Sequence, residues 1–250
     1  MIRARFLPVL AAALVTAVAL APVPAADPPK ADAATQEANA GDVQLLGDAY
    51  KLAEFAEKNK SPESYIAAGA MILKLKAVTK GEMGTLDAVP DVLDKDEKPV
   101  KGAKADAKKA EGLAEIADGF FESASGLGLA TKTSKEVEGL IKAAKARDYT
   151  NGEATRGAIG GPKVAIRVLG AYQTHVYTIP FDTYSLAAIG FQATAPLRCK
   201  MQIGSVVHFD QTVSVGQYVW KPRQNVAVRT FTIVVSNPRN FPVTYKLFTN

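Results

Sequence analysis

Two histidines, one cysteine and a late excess of basic side chains are what this chain offers to chemistry. Only His175 and His208 have an ordinary pKa near neutrality, so only they could pass a proton as a general base. His175 alternates onto the strand face of Tyr177 and Ile179, while His208 shares a face with Val206 and Asp210. Ser205 lies close to His208, but no serine sits in the Gly-x-Ser-x-Gly elbow that exposes a nucleophile. The expectation is therefore a non-catalytic protein, with a hydrolase working near His208 as the alternative. Cys199 alternates with Leu197, Met201 and Ile203 against Arg198, Lys200 and Gln202, which reads as a buried, inert thiol. A lone cysteine also excludes an intrachain disulfide.

Metal ligands are no better placed. No Cys/His pair has zinc spacing, and there is no His-Glu-x-x-His run. Asp91, Asp94, Asp96 and Glu97 superficially suggest calcium. A calcium loop wants acids at its first, third and fifth places, glycine at the sixth and glutamate at the twelfth. Counted from Asp91, those places hold Asp91, Leu93, Lys95, Asp96 and Gly102, so the run reads as a solvated charge cluster. No metal and no cofactor are expected.

Charge is the one functional lead. Residues 27–148 carry 22 acidic and 18 basic side chains, whereas residues 149–250 carry 3 acidic and 10 basic ones. Arg198 and Lys200 share one outward face, and Lys246 points away from Val243, Tyr245 and Leu247. With Lys221 and Arg223 they form a candidate anion-binding set, acting by summed field. Export, argued next, directs that set to acidic cell-envelope glycans, to lipid headgroups or to another exported protein. No nucleic-acid partner is expected.

Residues 1–26 read as a secretory signal. Arg3 and Arg5 precede an almost wholly apolar stretch from Phe6 to Ala21, and Val23-Pro24-Ala25 supplies small residues for cleavage after Ala25. The stretch falls short of the ~20 residues that span a bilayer. The mature chain should be soluble, without a transmembrane segment, in the periplasm or outside the cell.

These residues need elements to position them. Residues 27–40 lack apolar periodicity and read as a flexible leader. Residues 41–148 read as a small helical bundle. Val43, Leu46, Tyr50, Ala53 and Ala56 recur at helical spacing over 42–58. Ser61-Pro62-Glu63 caps a second helix to about Thr79, closing a helical hairpin. Residues 80–102 read as a solvated connection. A third helix fits 103–125, stopped by Gly126-Leu127-Gly128, and Ser134 caps a fourth to about Arg147 that buries Val137, Leu140, Ile141 and Ala144. The Gly-rich residues 149–163 read as a linker. Residues 164–250 then read as an antiparallel β-sandwich of eight short strands: 164–169, 174–180, 185–193, 197–203, 205–211, 217–221, 229–237 and 241–249.

Ordered landmarks lie on those strands: Ile179-Pro180-Phe181, then Trp220-Lys221-Pro222, Phe231-Thr232-Ile233-Val234-Val235-Ser236-Asn237 and the closing Tyr245-Lys246-Leu247-Phe248-Thr249-Asn250. In that order, residues 162–250 resemble the bacterial pre-peptidase C-terminal domain. The resemblance implies a β-sandwich accessory module appended to exported proteins. The Asp-x-Asp pair frequent in that family is replaced here by Ala195-Pro196-Leu197-Arg198-Cys199-Lys200, so no calcium site is carried over. Together these readings point to an exported, non-catalytic binding or scaffolding protein of the bacterial cell envelope. Besides the hydrolase, the alternative is a partner-binding regulator acting through its helices.

Overall fold

The computed structural model describes residues 33–79, 83–100, 103, 105–108, 111–150, 162–181, 186–220 and 229–250. The signal-like segment, most of the expected linker, Lys221 and Arg223 lie outside the described residues. Helices come first and strands follow, as the change in composition predicts. No helix among the described residues is long and apolar enough to cross a membrane.

Helix α1 spans Ala33–Asn59 and so begins inside the expected leader. Ala33-Ala34-Thr35-Gln36-Glu37-Ala38 has little amphipathic pattern but mostly good helix formers, so propensity extends a helix that packing anchors further on. Val43, Leu46, Ala49, Ala53 and Ala56 are buried along one stripe. Lys60, in the left-handed region at φ 53°, turns the chain into α2 (Pro62–Val78). There Ser61 Oγ accepts from Ser64 N at 3.2 Å, and Pro62 and Glu63 occupy the first turn, as their spacing predicts.

Helix α3 spans Leu113–Thr131, starting about ten residues later than expected and running through the glycines predicted to stop it. A Cβ on Gly128 would stand 2.9 Å from Val137 Cγ2, so this glycine lets α4 (Ser134–Ala146) come close. Gly69 does the same for Phe121 between α2 and α3. Val137 and Ala144 are buried on α4 as expected, but Leu140 is 46% exposed.

The connection expected to be solvated is partly pleated. It supplies β1 (Gly84–Thr85) and β2 (Asp91–Leu93), with Leu86 and Val92 buried, and β3 (Asp106–Lys108) follows. β1 pairs in parallel with β4 (Lys163–Leu169), β3 pairs antiparallel with β4, and β2 pairs antiparallel with β5 (Thr174–Phe181). The charged turn after β2 is held by Asp94, whose Oδ1 accepts from Asp96 N at 2.8 Å and Lys98 N at 2.9 Å. Those backbone donors hold its pKa below the ordinary carboxylate value. The suspected calcium carboxylate is thus a turn-former.

Four of the expected strands merge into two long ones, β6 (Ala187–Ile203) and β7 (Val206–Trp220). Pro196 falls where the β6–β7 register shifts between Gln192 and Leu197, a position that needs no regular ladder donor. β8 (Arg229–Ser236) and β9 (Val243–Thr249) complete the set. The order is β1-β4-β9-β6-β8-β5-β2, with β3 also on β4 and β7 also on β6. β6 pairs with β9 over Ile189–Ala193 and with β8 over Arg198–Ile203. Among the described residues the result is one mostly antiparallel sheet of nine strands, whose hydrogen bonds define no separate pair of sheets.

Two cores follow. Tyr177, Phe191, Leu197, Met201, Phe231, Ile233, Tyr245 and Leu247 fill the inside of the sheet. The second core joins the helices to the opposite face through Val164, Ile166, Ala188 and Phe248. Residues Ala31–Asn250 accordingly form one compact unit, in which the helical segment shares its core with the strands.

Candidate ligand cleft between helices and sheet

Where the helices lie over the outer face of β9, β6 and β7, they leave an open cleft of about 630 Å³. One wall is a single face of α1, on which Tyr50, Ala53, Glu54 and Glu57 follow at helical spacing. Tyr65 of α2 and Phe120 and Ser123 of α3 continue it. The facing wall is sheet: Gln192 and Thr194 from β6, Ser214 and Val215 from β7, Thr244 and Lys246 from β9, and Lys108 from β3.

The aromatic end of the cleft is rigid. Phe120 meets Tyr50 edge-on at 5.7 Å between centroids and Tyr65 at 6.3 Å. Lys246 closes one side, donating to Tyr50 Oη at 3.1 Å and to Glu111 Oε2 at 2.5 Å. Its side chain is only 15% exposed. Burial pulls the ammonium's pKa down, but Tyr50 and Glu111 outweigh it and the net direction is upward. Across the cleft, Tyr65 Oη donates to Glu57 Oε2 at 2.8 Å. Burial first, then Glu57, pushes the Tyr65 phenol up to about 12, so it remains a donor. Thr194 Oγ1 donates to Thr244 O at 3.3 Å. The side chains of Gln192 and Ser214 have no hydrogen-bond partner among the described residues.

Of the expected anion-binding residues, the described members Arg198, Lys200 and Lys246 do not form one group. Arg198 and Lys200 do share the outer face, on the part of β6 that pairs with β8. Arg198 already donates from Nε and Nη2 to the two oxygens of Asp210, at 2.9 and 2.8 Å. Lys246 lies opposite Gln192, six positions before Arg198 on β6 and beyond the register shift. It does point away from Tyr245 and Leu247, but helices cover that face and Glu111 already pairs with it.

The catalytic candidates have structural partners. His175 is 1% exposed, and burial, with the charge of Arg167, pushes its pKa down to about 4. Its Nδ1 shares a hydrogen bond with Tyr245 Oη at 2.7 Å, and Tyr245 Oη meets Tyr177 Oη at 2.5 Å. His208 Nδ1 pairs with Tyr218 Oη at 3.0 Å. Asp210, the nearest carboxylate in sequence to His208, is engaged by Arg198. Cys199 is fully buried, and burial pushes its thiol up to about 12, as the alternation of its strand predicts.

Sequence reasoning missed Glu54, Glu57, Tyr65, Phe120, Gln192 and Ser214 as site residues. The Tyr50/Ala53/Glu54/Glu57 spacing was visible, but it is also what any amphipathic helix shows. No known protein family matches the chain, and no curated protein matches it. Among solved structures, it is similar to the solution NMR structure of a de novo designed double-stranded beta-helix, at 10% identity and a TM-score of 0.25. That likeness covers 35% of this chain and 99% of the designed one, and it carries no argument about fold or function.

Proposed function

We propose that this chain is an exported, non-catalytic binding protein of the bacterial cell envelope, and that the helix–sheet cleft holds its ligand. The observation that carries this reading is the cleft itself. Its volume lies within the ~300–1,000 Å³ usual for small-ligand sites, and polar groups from seven elements converge on it. The state of the candidate nucleophiles and bases supports a binding role: a protonated buried thiol, a buried neutral histidine and a second histidine hydrogen-bonded to Tyr218. In this reading residues 162–250 are an accessory module of pre-peptidase C-terminal type. Their curled sheet acts as a sandwich, and the four helices are a bundle docked on one side.

Titration of the isotopically labelled chain with soluble cell-wall fragments tests it. The resonances that move should belong to Gln192, Ser214, Thr244 and the facing side of α1. Movement confined to the surroundings of His208, or none in the cleft, would remove the proposal. Export is tested separately by fusing residues 1–26 to a reporter, which should be secreted and processed after Ala25.

A second reading has its own observation. Arg198 and Lys200 stand side by side on the wet face, so weak, salt-sensitive contact with anionic glycans or lipid headgroups falls to this pair. Partner binding through the helices would use the groove between α3 and α4, where Leu129 is 70% exposed. A hydrolase centred on His208 ranks last, because Tyr218 rather than a carboxylate or a serine is what the ring meets.

A further inference from the structure

Resting on the reading of the cleft as a ligand site, we infer that its ligand is a neutral saccharide chain a few units long. Charge narrows the class first. Three carboxylates, Glu54, Glu57 and Glu111, are each paired with a lysine (Lys58, Lys60 and Lys246), and Lys108 adds one more ammonium on the sheet side. A polyanion would meet the carboxylates on α1, and a polycation would meet the lysines on the sheet side. A polymer of either sign leaves unfavourable pairs at short range. Apolar ligands fit no better, since most of the lining residues are polar.

What the two walls offer is hydrogen bonding of both senses. Glu54 and Glu57 accept, Gln192 donates and accepts through one amide, and the Ser214 hydroxyl does either. A sugar ring has that requirement: neighbouring hydroxyls that each give and take a hydrogen bond, around apolar C–H faces. The aromatic end formed by Tyr50, Tyr65 and Phe120 suits those C–H faces. Gln192 and Ser214 are half-buried and without protein partners among the described residues, so a ligand can take their bonds without breaking any already made there. The open side of the cleft lets a chain enter and leave it, which a single enclosed sugar would not require.

The experiment compares three classes of probe on the full chain by calorimetry and by resonance mapping. They are neutral tetrasaccharides (chitotetraose, cellotetraose and maltotetraose), tetralysine and polyglutamate. At least one tetrasaccharide should bind and move cleft resonances, with an affinity that changes less than twofold between 50 and 500 mM salt. Gln192→Leu combined with Ser214→Ala should weaken that binding at least tenfold, and Lys95→Ser, in the exposed turn after β2, should leave it unchanged. Glu54→Gln, half-buried on the opposite wall, gives an independent check should the double variant fail to fold. If tetralysine or polyglutamate moves the cleft resonances and no tetrasaccharide does, the saccharide inference is overturned while the cleft stands as a binding site. If no probe moves them, the inference falls, and a negative result with cell-wall fragments as well would take the binding reading with it.

Discussion

Asp42 and His175 are buried titratable groups whose effects oppose each other. Burial pushes the Asp42 carboxyl up to about 6, and its Oδ2 has no partner. Burial pushes His175 down to about 4. For Asp42 the folded pKa exceeds the unfolded one, so its contribution is full in acid and is lost as the pH rises from about 4 through 6. For His175 the folded pKa is depressed, so its contribution is full above about 6.5 and is lost as the pH falls towards 4. In the wild type the two slopes offset each other. Asp42→Asn should unmask the histidine slope, with stability falling on the order of 2 kcal/mol from pH 6.5 to 4.5. The same variant should be more stable than wild type at pH 7, because an ionised, unpaired buried group has been removed. Urea unfolding across that range checks both; equal stability at pH 7 would mean that Asp42 is solvated.

At the scale of elements, β6 carries the most consequence, because it pairs with three strands and has buried residues on both faces. Gly190 lies on its helix-facing side, where an added Cβ would overlap the Phe248 ring. Gly190→Ala should therefore cost about 1–3 kcal/mol by overpacking and move Phe248 against Tyr50, read as a lower melting temperature with altered Tyr50 resonances. Phe231, on β8, is fully buried and meets Phe181 at 5.2 Å and Trp220 at 5.8 Å. Phe231→Ala should cost about 3–5 kcal/mol in denaturant unfolding. A variant with wild-type stability would displace Phe231 from the core.

For the whole molecule, the shared core decides how separable the halves are. Val164, Ile166, Ala188 and Phe248 face the helices, so strands expressed as residues 162–250 alone would expose them and lose β1, β2 and β3 as well. That fragment should aggregate or bind a hydrophobic dye, whereas a chain cut by trypsin at Arg156 should elute as one particle with both pieces present. A monomeric, dye-silent fragment 162–250 would show that the strands fold independently.

How much of this was legible beforehand depends on the range of the cause. Ser61-Pro62-Glu63 predicted the start of α2, and the alternation around Cys199 predicted its burial. Capping and strand periodicity act over a few residues and are written locally. That Lys246 points away from Tyr245 could be read in the same way. That helices cover this outer face could not, since it depends on contacts about 200 residues apart, such as Lys246 with Tyr50. The glycines at 126 and 128 do not stop the helix, and at Gly128 a close helix crossing favours the residue that a helix interior otherwise disfavours. The expected break between strands 185–193 and 197–203 does not occur, because only the ladder shows whether the missing N–H of Pro196 is needed. Composition, periodicity and caps thus determined helices first and strands after, and which side chains lie inside the sheet. The tertiary structure alone decided that one continuous sheet forms, that the two segments share a core and that a cleft opens between them. Those outcomes depend on which surfaces meet, and contact between distant segments leaves no periodic trace in either one.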